Sequence, residues 1–284
     1  PGVAEAVTRH LTEIGASPGR GGYVGTVQSQ AVLDRLRSRL RRLCNAPGCD
    51  ERMLFTLNGT DALNLAIRGL AMPKLLRGEP VRVVATDLEH NSVIRPFRTL
   101  ESLGAEVVFV PLDPHTGAAD PNRFAEALGP ETTLCAAIHG SNVTGAVQPL
   151  TEFGAAAKAN DVPFLVDASQ TFGRIPVDVE AMQIDMLAFS GHKYLLGPLG
   201  TGGLWVRDHL SLMPLRDGGT GSMSELEYQP ECWPDRFEPG SHNTTGLFGL
   251  DAALEWIETQ SVETLASRER DLHLRMAKCI EATP

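Results

Sequence analysis

Lys193 stands in FSGHKYLLGPLG, directly after the apolar run DMLAFS and before glycines at 197, 200, 202 and 203. A lysine held at the end of a buried strand loses hydration, which favours its neutral, nucleophilic amine. Upstream, Asp167 closes the apolar run VPFLVD, where a bare carboxylate is costly unless a cation or several donors meet it. Gln170 follows one turn later as a hydrogen-bond donor. Asp167 would equally suit the role of capping the turn behind it. Earlier still, Asn58-Gly59-Thr60 joins the strand-like MLFTL to a helical run. There the amides of Gly59 and Thr60 and the Thr60 hydroxyl meet the positive end of a helix dipole, a cradle for an anion. Asn and Thr are also ordinary helix caps. An imine-forming lysine, an acid for a protonated ring nitrogen and an anion cradle are together what pyridoxal phosphate requires.

These residues need a scaffold, and the sequence supplies one by alternation. The apolar runs 53–57, 81–86, 106–112, 133–140 and 162–169 read as buried strands, and LWVR returns as another after the glycine turn. Helical patterns fill the intervals: AVLDRLRSRLRRL, NGTDALNLAIRGL, PFRTLESLG, PNRFAEAL and LTEFGAAAKAN. Strands alternating with helices predict an α/β domain with a mainly parallel sheet, with ligands at the carboxyl ends of its strands. Residues 213–243 are rich in Gly, Pro and acidic side chains and read as a functional loop whose Tyr228, Trp233 and Phe237 need cover. From TTGLFGLDAALEWIE onward the pattern is helical again.

Composition narrows the class. With 284 residues, 42% of them hydrophobic, the chain can bury a large core. A formal net charge of −10 excludes a nucleic-acid footprint or a basic membrane surface, so an anionic ligand needs a local positive pocket. No apolar run reaches the length of a membrane span. The 5 cysteines, Cys44, Cys49, Cys135, Cys232 and Cys279, form no CxxC and no framework, which predicts reduced thiols, no zinc and a cytoplasmic protein.

DLEHNSVIRP, HGSNVTGAVQPL, VDASQTFGRIPVDV, FSGHKYLLGPLGTGGLWV and EPGSHNTTG, in this order, closely resemble the class V aminotransferase superfamily, in its cysteine desulfurase and selenocysteine lyase branch. GASPGRGGY and FTLNGTDALN are similar to the subgroup of cysteine desulfurase family proteins. The resemblance covers nearly the whole chain and implies the fold type I of pyridoxal-phosphate-dependent transferases, a seven-stranded-type sheet sandwiched by helices. Residues 1–250 would form the large cofactor domain, and 251–284 would begin the helical connection to a C-terminal domain that is largely missing. The chain is then expected to be a fragment shortened at both ends.

The same resemblance implies roles. Lys193 would carry the cofactor as an imine, Asp167 would pair with the ring nitrogen and Gln170 with the phenolic oxygen. His90 would stack on the ring and could shuttle a proton. Asn142 would face the cofactor or the substrate. Gly59, Thr60, Ser190 and His192 would hold the phosphate. Ser241 would reach the phosphate of a neighbouring subunit, which implies a homodimer. Taken singly, His90, Ser190 and His192 suit surface or capping duties, and Asn142 suits a turn. The implied reaction removes sulfur from L-cysteine, or selenium from selenocysteine, to leave alanine, with a protein accepting the sulfur in iron-sulfur cluster assembly. The family's nucleophilic cysteine and carboxylate-binding arginine match no position here, so no nucleophile is assigned. An aminotransferase, a kynureninase-like hydrolase, an epimerase or a non-catalytic cofactor-binding scaffold would share the same site.

Overall fold

The apolar runs form β1 (Met53–Thr56), β2 (Arg82–Thr86), β3 (Glu106–Val110), β4 (Thr132–Ile138), β5 (Phe164–Asp167), β6 (Met186–Ser190) and β7 (Gly202–Val206). The computed structural model describes residues 1–19, 21–223 and 225–283. One sheet holds the strands in the order β1-β7-β6-β5-β4-β2-β3. β3, β2, β4, β5 and β6 pair in parallel, while β7 runs antiparallel to both β6 and β1. Six strands therefore point the same way, and their carboxyl ends share one edge of the sheet.

Parallel neighbours require crossovers, and helices supply them. The helices are α1 (Gly2–Arg9), α2 (Val24–Leu43), α3 (Gly59–Leu76), α4 (Asn91–Ser102), α5 (Pro121–Ala127), α6 (Leu150–Ala159), α7 (Thr244–Gln260) and α8 (Val262–Glu281). Their starts are chemically marked. The Asn58 side chain accepts from the Asp61 amide, and Asp120 accepts from Asn122 with Pro121 in the first turn.

The two-residue strand period sorts side chains onto two faces. Phe164, Val166, Leu187 and Phe189 join one apolar cluster with α2, α5, α6 and α7. Leu165, Met186 and Ala188 join the other with α3 and α4. Burial on both faces is why these strands read as continuous apolar runs. The chain steps outward from β2 to β3, crosses back past β2 to β4, and then proceeds to β5 and β6. The reversal opens a crevice between the ends of β2 and β4, where α/β sheets place ligands.

The described residues of 213–243 are irregular apart from a short 3-10 turn, Asp235–Phe237. Trp233 packs 4.3 Å from Phe237 and lies 4.0 Å from the Arg52 guanidinium. Tyr228 departs from expectation: it is 85% exposed, because residues 225–227 beside it are themselves exposed and bring no apolar cover. Asp251, where the helical connection is expected to begin, lies inside α7.

Candidate active site at the carboxyl ends of the strands

The turns leaving β1, β2, β4, β5 and β6 are tied together by a closed circuit of contacts. The Gly59 amide donates to Ser190 Oγ at 3.2 Å, joining the start of α3 to the end of β6. Ser190 Oγ lies 3.5 Å from Ser169 Oγ, and the Ser169 amide donates to Asp167 Oδ1 at 2.9 Å. Asp167 pairs across the sheet with Ile138, the last residue of β4. The Ile138 amide donates at 2.9 Å to Glu89 Oε1, in the turn after β2. That turn continues into His90, whose Nδ1 accepts from the Ser92 amide at 3.1 Å. Ser92 Oγ closes the circuit on Thr60 Oγ1 at 2.7 Å.

Most of the expected residues stand on or beside this circuit. Asp167 is 4% exposed, and among the described residues only its Oδ1 has a donor; Oδ2 has none. The expected turn cap is thus real but uses half of the carboxylate. Ser190 is buried, and His90 and Thr60 are exposed. With Nδ1 accepting, the neutral His90 ring carries its proton on Nε2. Lys193 is half-buried in the turn after β6, where the Leu196 amide donates to its carbonyl, and its ammonium has no hydrogen bond or ion pair among the described residues. His192 Nδ1 is buried without a partner. Gln170 is half-buried and its side chain makes no hydrogen bond there.

Three details differ from expectation. The Gly59 amide is not available to an anion as it stands, because Ser190 Oγ accepts from it. Asn142 is exposed in a turn held by Ser141, whose Oγ accepts from the Val143 and Thr144 amides, and nothing ties its side chain to the circuit. Ser241 is likewise exposed, in a groove with Phe55, Leu57, Gly200 and Asn243 beside the end of β1, without a bond to the cluster.

Glu89, Ser92, Ser169 and His139 belong to the site without having been singled out from the sequence. Ser169 sits inside the quoted VDASQ and Glu89 inside LEHNS, so the signal was adjacency to Asp167 and His90. Glu89 is 5% exposed, and burial pushes its carboxyl up to about 7. Its Oε1 also accepts from Thr86 Oγ1 at 2.6 Å, while Oε2 is buried without a partner. His139 places Nδ1 2.8 Å from Thr171 Oγ1, its amide donates to the Asp167 carbonyl, and burial lowers its pKa to about 4.

A cavity of about 800 Å³ lies elsewhere, between α2 and residues 219–222 and 233–242, and is lined by Arg37, Glu238 and Ser241 among others. Behind it, Arg37 and Glu238 form a buried ion pair at 2.5 Å. Glu238 accepts from the Phe55 amide and lies 3.2 Å from His242. This pair fastens the segment before Ser241 to α2 and β1.

All 5 cysteines are free thiols. Burial drives Cys44 to about 12 and Cys135 well above its ordinary value, so both stay protonated. Among the described residues no cysteine lies on the circuit.

The circuit fits pyridoxal phosphate. Asp167 is buried as a residue but keeps Oδ2 open and without a donor, Lys193 is a cation without a counter-ion among the described residues, and a Cβ on Gly59 would meet Ser169 Oγ at 2.5 Å and Ser190 Oγ at 2.7 Å, so only glycine allows the turn to close on the two hydroxyls.

Known proteins resemble this chain over nearly its whole length. The family described as Aminotransferase class-V matches residues 1–284. A probable cysteine desulfurase of Methanothermobacter thermautotrophicus is 34% identical over 259 residues, covering 90% of this chain and 63% of its own. The apo cysteine desulfurase of Thermococcus onnurineus NA1 superposes with a TM-score of 0.90 at 28% identity, over 99% of this chain and 70% of that one. SspA in complex with cysteine superposes with a TM-score of 0.78 at 30% identity, over 89% of this chain and 68% of that one. The chain spans about 60% of the length of the first curated relatives it matches.

Proposed function

The chain belongs to the aminotransferase class-V family, and on that premise we propose that it binds pyridoxal 5'-phosphate through Lys193 and serves cysteine desulfuration. The observation that carries the reading is the Asp167 carboxylate, buried at a strand end with one oxygen free of protein donors. Bound there, pyridoxal phosphate supplies a sink for the electrons released when a bond at a substrate's α-carbon breaks.

The residues divide the remaining work. Lys193 would attach the cofactor, and its amine, displaced by the amino group of a substrate, would be placed to take up the α-proton. Asp167 Oδ2 would accept from the ring N–H, and its negative charge would keep that nitrogen protonated. Gln170 would donate to the phenolic oxygen and His90 would cover the ring, with Ser92 holding its Nδ1. Thr60, Ser190 and His192 would hold the phosphate at the start of α3, and the Gly59 amide would join them once Ser190 Oγ turns from it to the anion. Asn142 faces the incoming substrate. Ser241, out on the groove beside β1, serves a neighbouring copy's phosphate, which makes the assembly a homodimer.

L-cysteine is the substrate this reading favours, with a protein acceptor for the sulfur; the thiolate that takes the sulfur is assigned to none of the 5 cysteines. No helix among the described residues is long and apolar enough to cross a membrane, and we place the protein in the cytoplasm.

The test begins with colour. Added pyridoxal phosphate should give the folded protein a visible absorption band, and borohydride should fix the cofactor to the peptide carrying Lys193. Asp167→Ala should weaken cofactor binding at least tenfold, while Asp178→Ala, at a turn on the far side of β6, should not. A colourless protein, or equal losses at the two positions, would overturn the assignment. Alanine released together with sulfide from L-cysteine separates a desulfurase from an aminotransferase.

A further inference from the structure

Glu89 sits at the crevice where the chain reverses between β2 and β4. β2 ends at Thr86 and pairs with β4 only as far as Ala85 opposite Ala136. Beyond that point the Glu89 side chain bridges the two strands: Oε1 accepts from Thr86 Oγ1 at 2.6 Å on one side and from the Ile138 amide at 2.9 Å on the other. Ile138 is the residue that pairs with Asp167. The next residue in the chain is His90. One carboxyl group therefore sets the spacing between the turn that carries His90 and the strand end that carries Asp167.

Its surroundings also decide its charge. Glu89 follows β2 and Asp167 ends β5, with only β4 between them, and two carboxylates this close repel each other when both are ionised, so one of them keeps a proton. Asp167 has an amide donor on Oδ1 and an open side at Oδ2. Glu89 Oε2 is sealed without any donor, and an ionised oxygen there would be left bare. No cation pairs with Glu89 among the described residues; Asp167 on β5 is the charged group that acts on it, with Asp87 and His90 on its own turn and His139 next to its partner Ile138. The proton belongs on Glu89.

We propose that Glu89 is a positioning residue, an uncharged carboxylic acid that holds the His90 turn against the end of β4 and leaves Asp167 as the charged carboxylate of the pair. The proposal rests on the cofactor reading above for what the site is used for, and on geometry alone for the state of Glu89.

Glu89→Gln copies the neutral acid, retaining the acceptor that Thr86 and Ile138 use, whereas Glu89→Ala removes it. Infrared spectra of the cofactor-free protein at pH 6 should contain a protonated-carboxyl carbonyl band that Glu89→Gln deletes and Asp167→Asn retains. In titrations with pyridoxal phosphate followed by absorbance, Glu89→Gln should bind within about threefold of the parent protein, and Glu89→Ala at least tenfold more weakly. The band surviving in Glu89→Gln, or being absent from the parent, overturns the neutral state whether or not any cofactor binds. Equal weakening by Gln and Ala overturns the positioning role, and if Glu89→Ala fails to fold, a tenfold loss in Glu89→Gln does the same. If neither protein binds pyridoxal phosphate while the infrared result holds, it is the cofactor reading that fails, and with it the role in positioning that cofactor.

Discussion

The protonation of Glu89 has a consequence for stability that can be worked from the structure. Burial raises its carboxyl from an ordinary 4.5 to about 7, so between those values the folded state holds a proton that the unfolded chain has lost. Stability is therefore intact below about pH 4.5 and falls as pH rises through 7. At about 1.4 kcal/mol per pH unit of separation, the loss amounts to about 3 kcal/mol. His139 acts in the opposite sense. Burial lowers it from 6.5 to about 4, so its contribution is intact above pH 6.5 and is lost as pH falls through 4, again by about 3 kcal/mol. The two windows overlap, and in the parent protein the two effects nearly cancel. Removing one should expose the other. Measured by equilibrium urea unfolding, the stability of Glu89→Gln minus that of the parent should rise by about 3 kcal/mol between pH 4.5 and pH 8. For His139→Asn the same difference should fall over that range by a similar amount. A flat difference curve for Glu89→Gln would show that the carboxyl titrates near its ordinary value, and the electrostatic argument for the crevice would be refuted.

Two further outcomes follow from packing. Gly59→Ala places a Cβ 2.5 Å from Ser169 Oγ and 2.7 Å from Ser190 Oγ, so it should push both hydroxyls aside, cost about 1–3 kcal/mol of stability and weaken pyridoxal phosphate binding at least tenfold by absorbance titration. Glu238→Ala strands the buried Arg37 guanidinium and the Phe55 amide, which should cost about 3–5 kcal/mol in urea unfolding; a loss below about 1 kcal/mol would mean that the pair is not buried as described.

The local part of this protein was written in its sequence. Apolar runs at 81–86, 106–112, 133–140 and 162–169 mark strands because a parallel strand is covered on both faces, and the helical patterns between them mark crossovers. Lys193, Asp167 and the Asn58-Gly59-Thr60 turn could be recognised because each interrupts or ends such a run with a residue that hydrophobic burial alone does not explain. Tyr228 shows the limit of that reasoning: an aromatic residue in a loop predicts cover, but cover must come from another segment, and none closes over it.

What only the tertiary structure decided is adjacency between strand ends distant in sequence. Glu89 and Ile138, Gly59 and Ser190, and Thr60 and Ser92 meet because the sheet order places β2 beside β4 and brings the start of α3 to the end of β6. Spacing along the chain carries no record of strand order, which is set by how crossovers pack against a twisted sheet. The state of Glu89 depends on it entirely: a glutamate beside a histidine reads as a solvated side chain, and it becomes a sealed acid only when β4 and β5 close over it.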